Sequence, residues 1–186
     1  MAAKTRSAFA VCTVLILGGC NPFSQACEPD ALVKSYLTTE PAWKIVTPDD
    51  LSSGGDFGWH IENSEKCPGL VSFKPDGGKV NAAALLLFEK RGDKIFQKLV
   101  VVKKDAKGFV VETLIEPLEV NSALFLRTVP PGTYEDVDTG RTVAIAHEAI
   151  ALDAGEEGAI IYYRKGGKYR SLFTWKFVKP GAFSFE

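Results

Sequence analysis

The sequence of 186 residues predicts a mainly β protein of the α+β class, an antiparallel meander preceded by a short N-terminal helix. Three observations carry that prediction. Twelve Phe, five Tyr and three Trp stand against one Met, a balance that suits pleated strands better than a helical bundle. Seventeen Gly and ten Pro supply the residues that turns need. From Gly69 onward, apolar residues recur with a period of two in runs of strand length, separated by Gly, Asp and Pro clusters. A hydrophobic content of 46% is enough for the core of one domain. The formal charge of −1 leaves no basic excess to neutralise a phosphate backbone, which argues against nucleic-acid binding.

The elements follow in chain order. Pro29 and Asp30 open a segment whose Leu32 and Val33 recur four residues later as Tyr36 and Leu37, the spacing of a helix of two or three turns that ends before Pro41. A short apolar run covers residues 43–46. Thr47-Pro48-Asp49-Asp50 has a capping Thr, Pro at the first helical position and an acid three residues on, and predicts one helical turn. Residues 52–58 have no periodicity and are expected to form a loop. Strands are expected at 82–88, 95–102, 109–115, 123–129, 143–152, 159–164 and 168–178. Arg91-Gly92-Asp93, between the first two, is a turn with Gly at the left-handed position. Gly166-Gly167 suits a two-residue primed turn that sets Arg164 opposite Tyr169, Tyr162 opposite Ser171 and Ile160 opposite Phe173. In that register Phe173, Trp175 and Phe177 share one face, expected to be core, and Arg170, Thr174 and Lys176 share the other.

At the N-terminus, Lys4 and Arg6 precede ten uncharged, mostly apolar residues (8–17), the pattern of an export signal. Ten residues are too few for a membrane-spanning helix, which needs about 20. Leu17-Gly18-Gly19-Cys20, directly after this stretch, resembles the bacterial lipobox. That resemblance implies acylation of the Cys20 thiol and cleavage before it, so that the protein's first partner is the membrane, through its lipid. The chain then divides into a signal peptide (1–19), a tether (20–26) and one β-rich periplasmic domain (27–186). A competing site exists, because Ser24-Gln25-Ala26 has small residues at −3 and −1 and cleavage after Ala26 would leave a soluble protein. Losing residues 1–19 removes two basic residues and no acid, which brings the charge to −3. Cys27 and Cys67 are then the remaining cysteines, and in an oxidising compartment they are expected to pair as a disulfide. A Cys/His metal site is the alternative, but His60 and His147 lack finger spacing to either cysteine.

Between Cys67 and Phe88 the chain runs CPGLVSFKPDGGKVNAAALLLF, which resembles a divergent FG-GAP-like repeat: Cys-Pro-Gly and a strand, an Asp-rich calcium loop, then an aliphatic strand. Val129-Pro130-Pro131-Gly132-Thr133 and the run AIIYYRKGGKYRSLFTWKF are similar to the C-terminal half of small exported bacterial proteins that carry this repeat. The similarity spans residues 43–177 and implies a compact, mostly antiparallel β domain with no assigned reaction. Calcium needs six to eight oxygen ligands. Here Asp76 stands alone, with Gly77-Gly78-Lys79 in place of further acids, so neither calcium nor any other cofactor is expected.

No G-x-S-x-G elbow, H-E-x-x-H or dinucleotide fingerprint occurs. His147-Glu148 is the one acid–histidine neighbour pair, and in a regular strand its side chains would point to opposite faces. His60 fits a strand end. Acid pairs at Asp49-Asp50, Glu135-Asp136 and Glu156-Glu157 lie in loop-like contexts. Glu135, Asp136 and Asp138 put three acids in four residues and form the candidate grip for a basic protein partner. The expected function is a lipid-anchored binding protein of the bacterial envelope, an inhibitor or immunity-type protein rather than an enzyme. The alternatives are a structural or assembly lipoprotein, and a hydrolase using His60 or His147 with loop acids.

Overall fold

The computed structural model describes residues 27–51, 66–78, 82–106, 108–121, 124–154 and 158–175. Helix α1 spans Ala31–Leu37 and starts and stops for the reasons the sequence suggests. Asp30 Oδ1 accepts a hydrogen bond from Val33 N at 2.9 Å, capping the first turn. The N–H groups of Thr38, Thr39 and Glu40 then close the last turn on Lys34, Tyr36 and Leu37 before Pro41. Strand β1 is Lys44–Ile45 and is followed by a 3₁₀ turn, Pro48–Asp50. Its first turn is tied by Asp50 Oδ2, which accepts from Thr47 N at 2.8 Å and Thr47 Oγ1 at 2.7 Å.

β2 (Leu70–Phe73), β3 (Ala82–Arg91), β4 (Lys94–Asp105) and β5 (Gly108–Val120) join β1 in a five-stranded antiparallel sheet of order β1-β3-β4-β5. β1 and β2 lie end to end along one edge of β3, facing Leu87–Phe88 and Ala82–Leu85 respectively. The second sheet has the order β11-β10-β9-β6, built from β6 (Phe125–Val129), β9 (Ala149–Asp153), β10 (Ala159–Lys165) and β11 (Lys168–Thr174). β7 (Gly132–Asp136) and β8 (Arg141–Ile145) form a separate hairpin.

The last hairpin has the register read from its turn, including Arg164 opposite Tyr169 and Ile160 opposite Phe173. Gly166 and Gly167 take φ of 60° and 79°, the left-handed values a primed turn requires. The expected single strand over 143–152 is two strands. Residues 146–148 break it, because β8 pairs back on β7 while β9 enters the second sheet between β6 and β10.

The layers run α1, first sheet, second sheet, β7–β8 hairpin, with a core in each of the three gaps. Val33, Tyr36, Trp43, Leu85, Leu87, Val100 and Val102 fill the gap under α1. Leu86, Leu99, Val101, Leu126, Ile150 and Leu152 fill the gap between the sheets. Val129, Tyr134, Ile145, Ala151, Ile161 and Leu172 fill the gap under the hairpin. β3 and β4 are therefore buried on both faces, which is why their sequences are unbroken apolar runs rather than alternating ones. The buried charges are paired: Lys98 with Glu40 at 3.0 Å, and Asp153 with Arg127.

Cys67-Pro68-Gly69 is the corner where the layers meet. Cys67 bonds to Cys27 with a Cα–Cα distance of 4.8 Å, seated beside the α1 core. Pro68 O accepts from Leu126 N of the second sheet at 2.7 Å, and Gly69 O from Leu86 N of the first at 2.9 Å. A Cβ at Gly69 would stand 2.5 Å from Val46 O, so only glycine lets the two backbones approach this closely. Among the described residues no helix is long and apolar enough to cross a membrane.

Candidate partner-binding site

The acids singled out in the sequence do not lie together in a loop. Glu135 and Asp136 belong to β7 and only Asp138 lies in the turn. Alternation along β7 turns Tyr134 and Asp136 inward and Glu135 outward. Asp136 Oδ1 accepts from Phe173 N at 3.3 Å and Oδ2 from Thr139 Oγ1 at 2.7 Å, while its backbone O accepts from Gly140 N at 2.7 Å. Val137 N donates to Phe173 O at 2.9 Å. Asp136 thus clamps the hairpin to the edge of β11 and leaves Glu135, on the outer face, and Asp138 for solvent.

The aromatic stripe of β11 is also placed differently from the expectation. Leu172 and Thr174 are the buried side chains at this end, and they face the hairpin layer. Phe173 is half-buried and Trp175 is 59% exposed, packed edge to face with ring centroids 5.0 Å apart. The cover given by the first sheet reaches Tyr169, Tyr162 and Ile160 and thins beyond them. A signal for this exists in the sequence. The hairpin register pairs Ala159 with Thr174, so the residue across from Trp175 is Gly158, which has no side chain to cover it. Phe177, Lys176, Cys20, His60, Lys79, Glu156 and Glu157 lie outside the described residues.

Asp136 and Val137 bind the backbone of Phe173, whose ring supports Trp175. Two exposed acids and an exposed Trp backed by a half-buried Phe are therefore carried on hydrogen-bonded neighbours, β7 with its turn and β11. Tyr134 anchors β7 from below, its hydroxyl donating to Pro130 O at 2.7 Å. Burial holds the Tyr134 phenol above its ordinary pKa, so it remains a neutral donor at physiological pH.

The turn that corresponds to the calcium loop of the repeat is tied to the protein itself. Asp76 Oδ2 pairs with Arg164 Nη1 at 2.5 Å, and the same guanidinium donates to Gly167 O at 2.9 Å and 3.2 Å. Lys74 N donates to Glu148 Oε2 at 2.7 Å, and the His147 ring packs on the backbone of Gly77. His147 and Glu148 thus sit in the link between β8 and β9 rather than in a strand, and both contact residues 74–78. Glu148 is occupied in accepting from the backbone N–H of Lys74. Beside this turn Tyr169 lies among Lys103, Glu112 and Arg164. Burial, then Glu112, push its phenol well above the ordinary range, so it stays neutral. Among the described residues no three His, Cys, Asp or Glu side chains converge on a point that could hold a metal ion.

The chain matches no family model, no curated protein and no solved structure with which it was compared.

Proposed function

We propose that the chain is an exported binding protein of the bacterial envelope, anchored by lipid on Cys20, that blocks a protein partner with Trp175 and Phe173 at the end of β11, flanked by Glu135 and Asp138 of the adjoining hairpin. One observation carries the proposal: an exposed Trp on a partly buried Phe, joined through Asp136 to a hairpin that presents Glu135 on its strand and Asp138 in its turn. Tryptophan and tyrosine anchors dominate interface energetics, and a rigid mount loses little entropy on docking. The acids call for a basic rim on the partner. The Cys27–Cys67 disulfide supports the export half of the reading, since such bonds persist in oxidising compartments. Cys27 also lies seven residues after Cys20, so the domain would be held within about 25 Å of the lipid.

A photo-crosslinking amino acid at Trp175 in the producing cells should give one discrete adduct, lost when Glu135→Lys and Asp138→Lys are combined. The same probe at Ser35, exposed on α1 at the far side of the first sheet, should give none. Adducts at Ser35 as strong as at Trp175 would exclude this surface. Cys20→Ser should abolish incorporation of labelled fatty acid and release the chain from the membrane fraction; retention there would exclude anchoring at that residue.

A further inference from the structure

β5 is the outer strand of the first sheet, and the direction of its free backbone groups follows from the ladder. Leu86 donates its N–H to Gly69 and accepts at its C=O from Val46, so it points away from β4. Alternation then turns Ala83 and Leu85 toward β4, where they face Val102 and Val100. Val101 and Lys103 are left facing β5, where they meet Glu112 and Val110. Phe109, Val111 and Thr113 therefore direct their N–H and C=O groups outward. Among the described residues none of these groups has a backbone partner.

Edges of this kind are normally blunted by charge, proline or bulges. Here the far half of β5 is blunted: register shifts fall between Gln97 and Val100 of the facing strand, and Pro117 interrupts the donors. Residues 108–113 pair regularly with β4 and, among the described residues, no strand covers their outer edge. Their one charge, Glu112, is neutralised by Lys103 at 3.3 Å, and Val110 is 45% exposed.

We infer that this edge pairs with the same edge of a second copy of the chain, antiparallel, about a twofold axis through Val111. In that register Val111 faces its own copy and Phe109 faces Thr113, so all three outward residues are matched within the regular stretch. Glu112 faces Val110 rather than another Glu112. The basic end of the hairpin, with Lys103 and Lys104, lies toward the acidic end of the other copy, with Glu116 and Glu119; a parallel pairing would set acid against acid. The first sheet becomes one continuous sheet across the dimer, and the partner surface proposed above, which lies at the end of β11 in the second sheet, is not used. This inference does not rest on that proposal.

Full-length chain in mild detergent should sediment as a dimer at roughly 100 μM, because an interface this small is weak. Val110→Glu, at an exposed side chain beside Lys103 of its own copy, should leave the circular dichroism spectrum and melting temperature unchanged and weaken association roughly tenfold, because it sets an acid opposite Glu112 of the other copy. Val111→Cys should crosslink on oxidation above the background of the unsubstituted chain, since facing Cα atoms stand about 5.5 Å apart. Thr113→Cys should not, since its two copies are about 14 Å apart. A monomer at that concentration, or equal crosslinking at both positions, overturns the inference.

Discussion

The middle of the molecule and its outer hairpin are both antiparallel β-structure, yet they are held by different forces. β3 and β4 lie between two cores, and Leu85, Leu86, Leu87, Leu99 and Val101 are all within 1% of complete burial. The β7–β8 hairpin covers one face of the second sheet with Tyr134 and Ile145, and at its tip it is joined to β11 chiefly by hydrogen bonds at Asp136 and Val137. The centre is fixed by apolar area and tolerates no change in volume. The tip of the rim is fixed by a few polar contacts and keeps its outward side chains free, as the proposed partner surface requires.

That contrast can be broken or sharpened by experiment. The largest effect should come from the disulfide at the corner of the layers. Cys27→Ser removes the closure of a 40-residue separation, worth about 4 kcal/mol in the chain-entropy model. The melting temperature should fall and Cys67 should react with an alkylating agent without reductant; a reactive Cys67 in the unsubstituted protein would contradict the bond. Leu86→Ala, between the two sheets, should cost about 3 kcal/mol by denaturant unfolding, from lost transfer energy plus a cavity that rigid neighbours cannot close. A loss below about 1 kcal/mol would mean that the centre is looser than its burial implies.

Asp136→Ala should cost less, about 1 kcal/mol, because the lost contacts are few and partly solvated. Its signature should be local: faster hydrogen exchange at Val137 and Phe173 with β3 and β4 still protected. If protection fell equally in β3, hairpin and centre would be one cooperative unit and the contrast would fail. Tyr36→Phe should do least at neutral pH. Burial, then Glu40, raise the Tyr36 phenol from 10.0 to about 12, so the folded state prefers it neutral. The corresponding stability is fully present below pH 10 and is lost as pH rises from about 10 to 12. Stability of the Phe variant should decline less steeply over that window; an unchanged slope would show that Tyr36 plays no part.

Much of the fold was legible along the chain. Asp30 and Pro41 bracket α1 because capping and proline geometry act within a few residues, and Gly166-Gly167 set the register of the last hairpin for the same reason. Strands β3, β4 and β10 stood out as apolar runs. The break at residues 146–148 was not legible, since β8 and β9 carry similar residues and separate only because their hydrogen-bonding partners lie in different sheets. The candidate site was half legible. Its acids were visible as a cluster, but the division of labour between Asp136 and its neighbours depends on Phe173, 37 residues away in sequence.

By itself the sequence determined the class, the helix, the turns and the pairing of Cys27 with Cys67, because each follows from local geometry or from counting the residues available. Tertiary structure alone decided which side of each strand is covered. A period of two says that the faces of a strand differ, but when both sheets have layers on either side, which face meets solvent depends on where those layers end. That is why the stripe at Phe173 and Trp175 reads as core along the chain and emerges at the surface in the folded protein.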